Sequence, residues 1–325
     1  MRRGLVIGKF MPLHLGHMAL IRFAASRCDE LIVSMSYTDH DPIDGPVRYG
    51  WIQEVFADDS KILVRKLIDD FDDESLSLEA RTTRWTAKMK QVYPPIDVIF
   101  SSEAYGAPFA YSMNAVSEVF DQQRVRVPVS GSAIRNNPGA FWDFIPDHIK
   151  YYFVKKVCLY GPESTGKSTM AKYMAEHYHT VSVPEVSREF LSNNDFTLED
   201  IIRIGKAQTE RIHHTARLAN RVMFCDTDLI TTEIYCRHYL KTIPDILFEL
   251  EREVSFDRYF LMDIDVPWVA DGLRDLGDRR KEMFEVFRNE LDLRKIPYIL
   301  VSGDWDQRRE VIRREVDKII MNSGK

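Results

Sequence analysis

The sequence has few cysteines, no long apolar run and no excess of positive charge. Its four cysteines form no CxxC pair and have no histidine at metal-binding spacing; they are Cys28, Cys158, Cys225 and Cys236. This pattern argues against zinc sites and disulfides and favours buried free thiols. No apolar stretch approaches the roughly 18 residues of a membrane span, and the first residues lead into an apolar strand rather than a signal peptide. We therefore expect no membrane insertion and a reducing, cytoplasmic setting.

The charge balance is mildly acidic, with 44 Lys+Arg against 50 Asp+Glu and a net charge of −6. Because binding to duplex nucleic acid rests on neutralising phosphates with basic residues, the chain is not expected to bind nucleic acid. Internal repeats and low-complexity segments are absent, and the 45% hydrophobic and 29% charged residues are typical of globular proteins. At about 150 residues per domain, the 325 residues predict two domains.

Short apolar strands alternate with helix-like stretches in both halves of the chain. The predicted strands are 4–8, 30–36, 61–67, 97–102 and 124–130, then 156–161, 180–185, 221–227, 258–264 and 297–302. Such alternation is typical of parallel sheets with helices on both faces. We predict an α/β fold of two tandem doubly wound parallel-sheet domains, residues 1–150 and 151–325.

The strongest motif is GPESTGKST (161–169), which follows an apolar strand and opens a helix. It has the spacing of a phosphate-binding loop, whose backbone N–H groups and helix N-terminus form a nest for anions. Lys167 is expected to reach the β- and γ-phosphates, and the Ser168 hydroxyl to ligate Mg²⁺. The predicted nucleotide-binding residues are Gly161, Glu163, Ser164, Thr165, Gly166, Ser168 and Thr169.

Carboxylates follow two strands of the second half. Glu185 ends one predicted strand, and Asp226 and Asp228 end another, where ligands bind in α/β sheets. A kinase needs a carboxylate near the acceptor hydroxyl to accept its proton, and a second carboxylate near Mg²⁺. Asp226 stands at the position of a magnesium-binding Asp, but the sequence leaves open whether Glu185 or Asp226 is the base.

The arginine-rich segment 265–280 lies between these strands and the last one. Its Arg274 and Arg279, together with Gly272 and Gly277, suit a lid that closes over the transferring phosphate. The acidic run 69–75 lacks the spacing of a calcium loop, so we expect a solvated loop there.

Two clusters in the first half also indicate a phosphate site. In GKFMPLHLGH (8–17), His14 and His17 stand three residues apart at a predicted helix N-terminus, and Gly16 permits close approach of a ligand. In SGSAIR (130–135), hydroxyls and a guanidinium suited to a triphosphate follow the predicted fifth strand. The residues of this second cluster are Ser130, Ser132 and Arg135.

Together these motifs resemble a known family. GKFMPLHLGH with SGSAIR is similar to the HxGH nucleotidyltransferases, and the order of the two halves resembles the NadR-type bifunctional nicotinamide-mononucleotide adenylyltransferases and ribosylnicotinamide kinases. Further similar segments are SSEAYG (101–106), PEVSRE (184–189), FCDTDLITT (224–232) and PWVADGLRDLGDRR (267–280). Some members carry an N-terminal helix-turn-helix that represses transcription; we expect none here, because the chain begins at its first strand.

The resemblance implies two reactions that use ATP as co-substrate and Mg²⁺. Ribosylnicotinamide is phosphorylated to the mononucleotide (NMN) in the second half, and the first half joins NMN to the adenylyl group of ATP, giving NAD and pyrophosphate. His14, His17, Arg135, Lys167, Glu185 and Asp226 would be the catalytic residues. A homo-oligomer and a functional link to a nicotinamide-riboside transporter are left open.

The resemblance also implies further contacts with nucleotide and substrate. In the first half they are Gly8, Lys9, Phe10, Pro12, Arg48, Trp85, Ser101, Glu103, Tyr105 and Gly131; in the second half they are Asp228, Trp268, Asp271, Arg274 and Arg279. Trp51 and Trp85 are candidates to stack on the pyridinium ring, and Trp268 to hold the nicotinamide. The segment GDWDQRR (303–309) would cover the adenine.

Two alternatives remain at this point. A coenzyme A synthase also joins an HxGH adenylyltransferase to a P-loop kinase, although PWVADGLR and SSEAYG argue against it. A nucleotide-sensing regulator with one inactive half is the other alternative, and the intact phosphate motifs around Lys167 and His17 argue against that one.

Overall fold

The computed structural model describes residues 1–270 and 274–321. The chain divides into two compact units, the first spanning Met1–Ile149 and the second beginning at Lys150. Each unit contains a five-stranded sheet in which all strands are parallel. The predicted α/β class with two doubly wound sheets is confirmed.

The sheet of the first unit has the strand order β3-β2-β1-β4-β5. Its strands are β1 (Arg3–Gly8), β2 (Glu30–Tyr37), β3 (Ile62–Ile68), β4 (Val98–Ser101) and β5 (Val116–Val119). The helices are α1 (Leu15–Ala25), α2 (Gly45–Val55), α3 (Leu78–Val92), α4 (Gly106–Met113), α5 (Gly131–Asn136), a 3-10 helix at Trp142–Phe144 and α6 (Asp147–Lys150). The order of connection reverses between β1 and β4, and ligands bind outside the carboxyl ends of strands at such a point.

The sheet of the second unit has the strand order β10-β9-β6-β8-β7. Its strands are β6 (Lys155–Tyr160), β7 (Ser182–Val183), β8 (Val222–Asp226), β9 (Arg258–Met262) and β10 (Tyr298–Val301). The helices are α7 (Lys167–His177), α8 (Ser187–Phe190), α9 (Leu198–Ala216), α10 (Leu229–Leu240), α11 (Asp245–Glu253), a 3-10 helix at Gly277–Arg279, α12 (Arg280–Leu293) and α13 (Trp305–Met321).

Both faces of the second sheet are buried under helices. On β6, Val157 and Leu159 pack against the face that α7 and α13 cover, whereas Cys158 and Tyr160 pack against the face that α10 and α12 cover. Because side chains alternate across a strand, burial of both faces demands an uninterrupted apolar run. This explains why strands β6, β8 and β9 could be located from the sequence.

The predicted fifth strand at 124–130 is wrong. The structure has no strand there; the strand next to β4 is β5 at Val116–Val119. The Asp121 carboxylate accepts hydrogen bonds from the backbone N–H groups of Val125, Arg126 and Val127, at 2.8 to 3.1 Å. A side chain that takes these donors holds the backbone in a loop and competes with sheet pairing. The cluster 130–135 therefore follows a loop rather than a strand.

The remaining differences are at the ends of elements. β7 contains two residues rather than the predicted six, because Pro184 follows it and cannot donate to a sheet. All four cysteines are buried and free, as predicted. Among the described helices, none is both long enough and apolar enough to cross a membrane.

Helix α4 offers a test of the core of the first unit. Phe109 is fully buried beside Trp85, whereas Tyr111 on the same helix is 89% exposed. Phe109→Ala should lower the free energy of unfolding of this unit by about 3–5 kcal/mol, because it leaves a cavity, and Tyr111→Ala should change it by less than about 0.5 kcal/mol. Hydrogen exchange of the β1 and β4 amides measures both values, and equal effects would contradict the packing described.

Candidate active sites

Among the described residues, each unit has a large cavity at the carboxyl ends of its parallel strands. The first cavity has a volume of about 520 Å³ and is lined by residues that follow β1, β3 and β4 and by the start of α5. It brings together most of the residues predicted for the first half. These are Gly8, Lys9, Phe10, His14, His17, Trp85, Glu103, Tyr105, Ser130, Gly131, Ser132 and Arg135.

The two histidines lie side by side at the N-terminus of α1. Nδ1 of His14 accepts hydrogen bonds from the backbone N–H groups of Gly16 (3.1 Å) and His17 (3.3 Å), so His14 caps the helix. The rings of His14 and His17 are stacked with their centroids 3.7 Å apart. Because Nδ1 of His14 is an acceptor, the neutral ring carries its proton on Nε2 and can donate it to a ligand.

Both imidazoles are held neutral. Burial and the nearby Arg124 lower the pKa of His14 to about 4. Burial lowers the pKa of His17 well below its usual value, and His14 and Arg124 lower it further. Arg124 was not among the predicted site residues, because it lies in the segment that was mistaken for a strand. At pH 7 the histidines therefore provide N–H donors, while the arginines and Lys9 provide positive charge.

The start of α5 is pressed against the loop that follows β1. Arg135 donates to the Met11 carbonyl and, at 3.2 Å, to the Ser132 hydroxyl. A Cβ at position 131 would lie 2.6 Å from the Met11 carbonyl oxygen, so only glycine fits there. The Ser130 hydroxyl accepts from the Ala133 N–H at 3.1 Å and caps this helix. The two motifs are thus in direct contact and line the same cavity.

The acidic run 69–75 forms another part of the wall rather than a purely solvated loop. Asp72 accepts two hydrogen bonds from Arg81, at 2.8 and 2.7 Å, and one from the Trp85 indole at 2.9 Å. Arg81 also lies over the Trp85 ring, 5.3 Å from its centroid, so a cation already covers that face. Within the described ranges, no group of His, Cys, Asp and Glu side chains is arranged to hold a metal ion.

Four residues do not line the cavity: three predicted for the first site (Arg48, Ser101 and Pro12) and Trp51, one of the two candidates to stack on the pyridinium ring. The guanidinium of Arg48 is fully buried and donates to Asp41 and to the carbonyls of Ile43 and Lys9, so it positions the loop after β1. Ser101 is buried and donates to the Glu103 carbonyl at 3.2 Å. Pro12 and Trp51 are buried as well. Their predicted ligand contacts are corrected to roles in packing and positioning.

Titration of the histidines tests this account of the first cavity. NMR signals of the His14 and His17 rings should stay constant between pH 7.5 and 5.5, since both pKa values lie below the ordinary 6.5. The unfolded chain then binds more protons below pH 6.5, so the stability of the first unit should fall as the pH is lowered through this range. A ring that becomes protonated at or above pH 6.5 would contradict the assignment.

The second cavity has a volume of about 470 Å³ and contains the phosphate-binding loop. Lys167 Nζ donates to the carbonyls of Gly161 and Pro162, at 2.8 Å each. Gly166 has φ +87°, and a Cβ there would lie 2.6 Å from the Trp305 ring, so the position requires glycine. The predicted residues that line this cavity are Glu163, Ser164, Thr165, Gly166, Lys167, Ser168, Thr169, Glu185 and Arg274.

Two arginines hold the carbonyl groups of the phosphate-binding loop. Arg308 is fully buried, and its guanidinium donates to the carbonyls of Gly303 (2.9 Å), Thr165 (3.0 Å) and Asp263 (3.1 Å) and to the Asp265 carboxylate. Arg280 donates to the carbonyls of Ser164 (2.9 Å) and Val266 (2.7 Å). The two arginines thus bind two successive carbonyl groups of the loop, those of Ser164 and Thr165, and hold its backbone in place.

Three carboxylates lie near Lys167. Glu185 lines the cavity and accepts from the Ser187 hydroxyl at 2.7 Å and from Arg188 at 3.3 Å. Asp226 is only 4% exposed, and burial raises its pKa against the opposing effects of Lys167 and a hydrogen bond from Ser168. Burial, together with Asp275 and Glu185, raises the pKa of Glu163 to about 7.

Some predicted residues of the second half lie outside the cavity wall. Asp228 caps α10, accepting from the Thr231 N–H at 3.0 Å and from the Tyr259 hydroxyl at 2.9 Å, so its prediction as a substrate contact is corrected. Arg279 pairs with Glu282 at the surface, so its predicted contact with the substrate stays a prediction. Trp268 packs against Gly277 and Arg280. Gly161 and Asp226 are buried and do not line the cavity. Asp271 lies outside the described residues.

The sequence reasoning missed residues that distant elements contribute to the second cavity. From α9 and the loop before it come Asn194, Phe196, Ile201, Ile204 and Gln208, and from α10 come Thr231, Thr232, Tyr235 and Tyr239. Trp305, from the predicted adenine-covering segment, also lines this cavity. No local motif marks the α9 residues, since their apolar spacing is that of any buried helix face.

Substitution of Arg308 tests the support of the phosphate-binding loop. Arg308→Lys should weaken binding of a non-hydrolysable ATP analogue in the second cavity about tenfold, because lysine cannot make the same set of buried hydrogen bonds. Arg309→Lys is the control, since Arg309 pairs with the exposed Asp306 and should tolerate the change within about twofold. The ¹⁹F NMR signal of fluorinated Trp305 follows binding at this site, and unchanged affinity of the Arg308 variant would contradict the account.

Comparison with known proteins extends over nearly the whole chain. A family model described as an AAA domain matches residues 156–308. The trifunctional NAD biosynthesis/regulator protein NadR of Escherichia coli (strain K12) is 30% identical over 334 residues, which cover 94% of this chain and 80% of that protein. NadR of Salmonella typhimurium (strain LT2) is also 30% identical, over 333 residues, with the same coverage of both chains.

The fold is also that of solved NadR structures. A crystal structure of a NadR protein in complex with NR superimposes with a TM-score of 0.81 at 20% identity, covering 98% of this chain and 96% of the other. Another, in complex with NAD and AMP-PNP, gives a TM-score of 0.80 at 20% identity and covers 98% and 95%. With the extended similarity to the two bacterial relatives, these findings establish that the chain belongs to the NadR family.

Proposed function

We propose that the chain is a bifunctional enzyme of NAD salvage that uses ATP at two separate sites. The second unit phosphorylates ribosylnicotinamide to NMN, and the first unit transfers the adenylyl group of ATP to NMN, giving NAD and pyrophosphate. The observation that carries the proposal is that each sheet has its own phosphate motif at the edge of its own cavity, in a chain that belongs to the NadR family.

In the kinase reaction, the ribose hydroxyl of ribosylnicotinamide attacks the γ-phosphorus of ATP, and ADP leaves. A hydroxyl is a weak nucleophile, so a carboxylate that accepts its proton assists the attack. We assign this role to Glu185, because Glu185 lines the cavity whereas Asp226 is almost fully buried. Lys167 and the N–H groups of the phosphate-binding loop would bind the β- and γ-phosphates.

The residues present fit a Mg²⁺ ion in the second unit. Oδ1 of Asp226 is buried and has no hydrogen-bond partner among the described residues, and Ser168 lies within hydrogen-bond reach of the same carboxylate. Carboxylate and hydroxyl oxygens are ligands that Mg²⁺ prefers, so Asp226 and Ser168 would hold it. When bound, the ion neutralises negative charge on the phosphates.

The adenylyl transfer has different requirements. The attacking group is a phosphate oxygen of NMN, which is mostly dianionic at pH 7, so no protein base is needed. The oxygen attacks the α-phosphorus of ATP, the bond between the α-phosphorus and its bridging oxygen breaks, and pyrophosphate leaves. The first cavity then has to align the two phosphates and stabilise the departing charge. His14 and His17 would donate hydrogen bonds, and Lys9, Arg124 and Arg135 would supply positive charge.

Paired substitutions test whether the two activities are separate. His17→Ala should lower the rate of NAD formation from NMN at least about 100-fold and leave NMN formation intact, because it removes a donor only from the first cavity. Lys167→Ala should have the opposite effect. Chromatography of products from ribosylnicotinamide with ATP, and separately from NMN with ATP, measures both rates.

His214→Ala and Lys172→Ala are the matched controls, since both side chains are exposed and outside the two cavities. Both controls should retain both activities. If each of the two site variants lost both activities while still folded, the model of two separate sites would be wrong.

A further inference from the structure

Gln208 is a buried side chain in the wall of the second cavity. It belongs to α9, is only 2% exposed and accepts a hydrogen bond from the backbone N–H of Val186 at 2.9 Å. Because a backbone N–H needs an acceptor, the atom that faces Val186 is the amide oxygen, Oε1. The other end, Nε2, has no hydrogen-bond partner among the described residues.

A buried N–H donor without a partner is costly. Ile204 and Ile201 lie about one and two helical turns before Gln208 on α9, and Phe196 belongs to the same apolar cluster as Ile201. A ligand with a carbonyl oxygen next to Nε2 would accept its hydrogen bond. If that carbonyl were attached to a flat ring, the ring could pack against the apolar side chains. The carboxamide of a nicotinamide ring has this combination of groups.

We propose that Gln208 determines specificity by donating a hydrogen bond from Nε2 to the carboxamide oxygen of the acceptor nucleoside. This inference rests on the proposed kinase function of the second unit. Val186 directly follows Glu185, the assigned base. Gln208 would therefore hold the backbone beside the base through Oε1 and position the substrate ring through Nε2. The nucleoside would then lie between Gln208 and the phosphate-binding loop, both of which line this cavity.

The test compares two acceptors that differ only in the carboxamide. Ribosylnicotinamide and ribosylpyridinium share the positive ring and the ribose hydroxyls, so their ratio of kcat/KM in the kinase assay isolates the contact to Gln208. In the unmodified chain this ratio should be about 10 to 100. In Gln208→Leu it should fall to within about threefold of 1. Loss of the Val186 bond lowers kcat/KM for both acceptors by the same factor, whereas loss of the carboxamide contact lowers it further for ribosylnicotinamide alone.

Gln208→Met provides a second variant of similar shape, and Thr209→Val is the matched control. Thr209 is the next residue of α9, is 3% exposed and does not line the cavity, so its substitution should leave the ratio unchanged. Loss of the bond to Val186 alone would lower kcat/KM for both acceptors by the same factor and keep the ratio. That result, or an unmodified chain that uses both acceptors equally well, would overturn the inference.

The same assay separates failure of the inference from failure of the proposed function. If the unmodified chain phosphorylates ribosylnicotinamide but the ratio does not respond to Gln208, the kinase function stands and the role of Gln208 is wrong. If it phosphorylates neither acceptor, the proposed kinase function is wrong and the inference fails with it.

Discussion

The parallel pairing of all strands is the constraint on which both cavities depend. Parallel strands end along one edge of a sheet, and each connection must leave from that edge, so the loops after β1 and β4, or after β6 and β8, meet there. In each unit one such loop runs directly into a helix N-terminus, at Leu15 in the first and at Lys167 in the second. Backbone N–H groups and the helix dipole are thereby aimed at one place, where a phosphate binds well.

Burial then gives the two cavities different chemistry. In the first cavity it keeps His14 and His17 neutral, so that they donate hydrogen bonds without adding charge to the cations around them. In the second it raises the pKa values of Glu163 and Asp226, while Glu185 remains in the cavity wall. These differences match the two proposed reactions, because a phosphate nucleophile needs no base and a hydroxyl nucleophile does.

The sequence alone was sufficient to predict those parts of the structure that are determined by residues adjacent in the chain. The phosphate-binding loop and the HxGH segment could be predicted because their glycines, Lys167 and the two histidines lie within short stretches whose geometry is local. Most strands could be predicted for a similar reason, since burial on both faces leaves a continuous apolar run. The segment 124–130 failed because the Asp121 side chain binds its backbone N–H groups, and alternating valines do not reveal that competition.

The other residues could not be predicted because their roles depend on distant contacts. Arg308 reaches Thr165 across 143 positions of sequence, and Gln208 reaches Val186 across 22. Arg48 and Asp228 illustrate the opposite error, since a polar residue within a motif looks the same in sequence whether it faces a ligand or supports the backbone. Only the fold distinguishes the two, by placing Arg48 and Asp228 behind the cavity walls.

A product time course tests the central claim, that one chain carries out two successive reactions at two sites, most directly. The full chain would be incubated with ribosylnicotinamide, Mg²⁺ and excess ATP, and the products separated by chromatography. We expect NMN to form first, and NAD to follow with equimolar pyrophosphate as NMN is consumed. Formation of neither product from ribosylnicotinamide, together with no NAD from supplied NMN, would contradict the account.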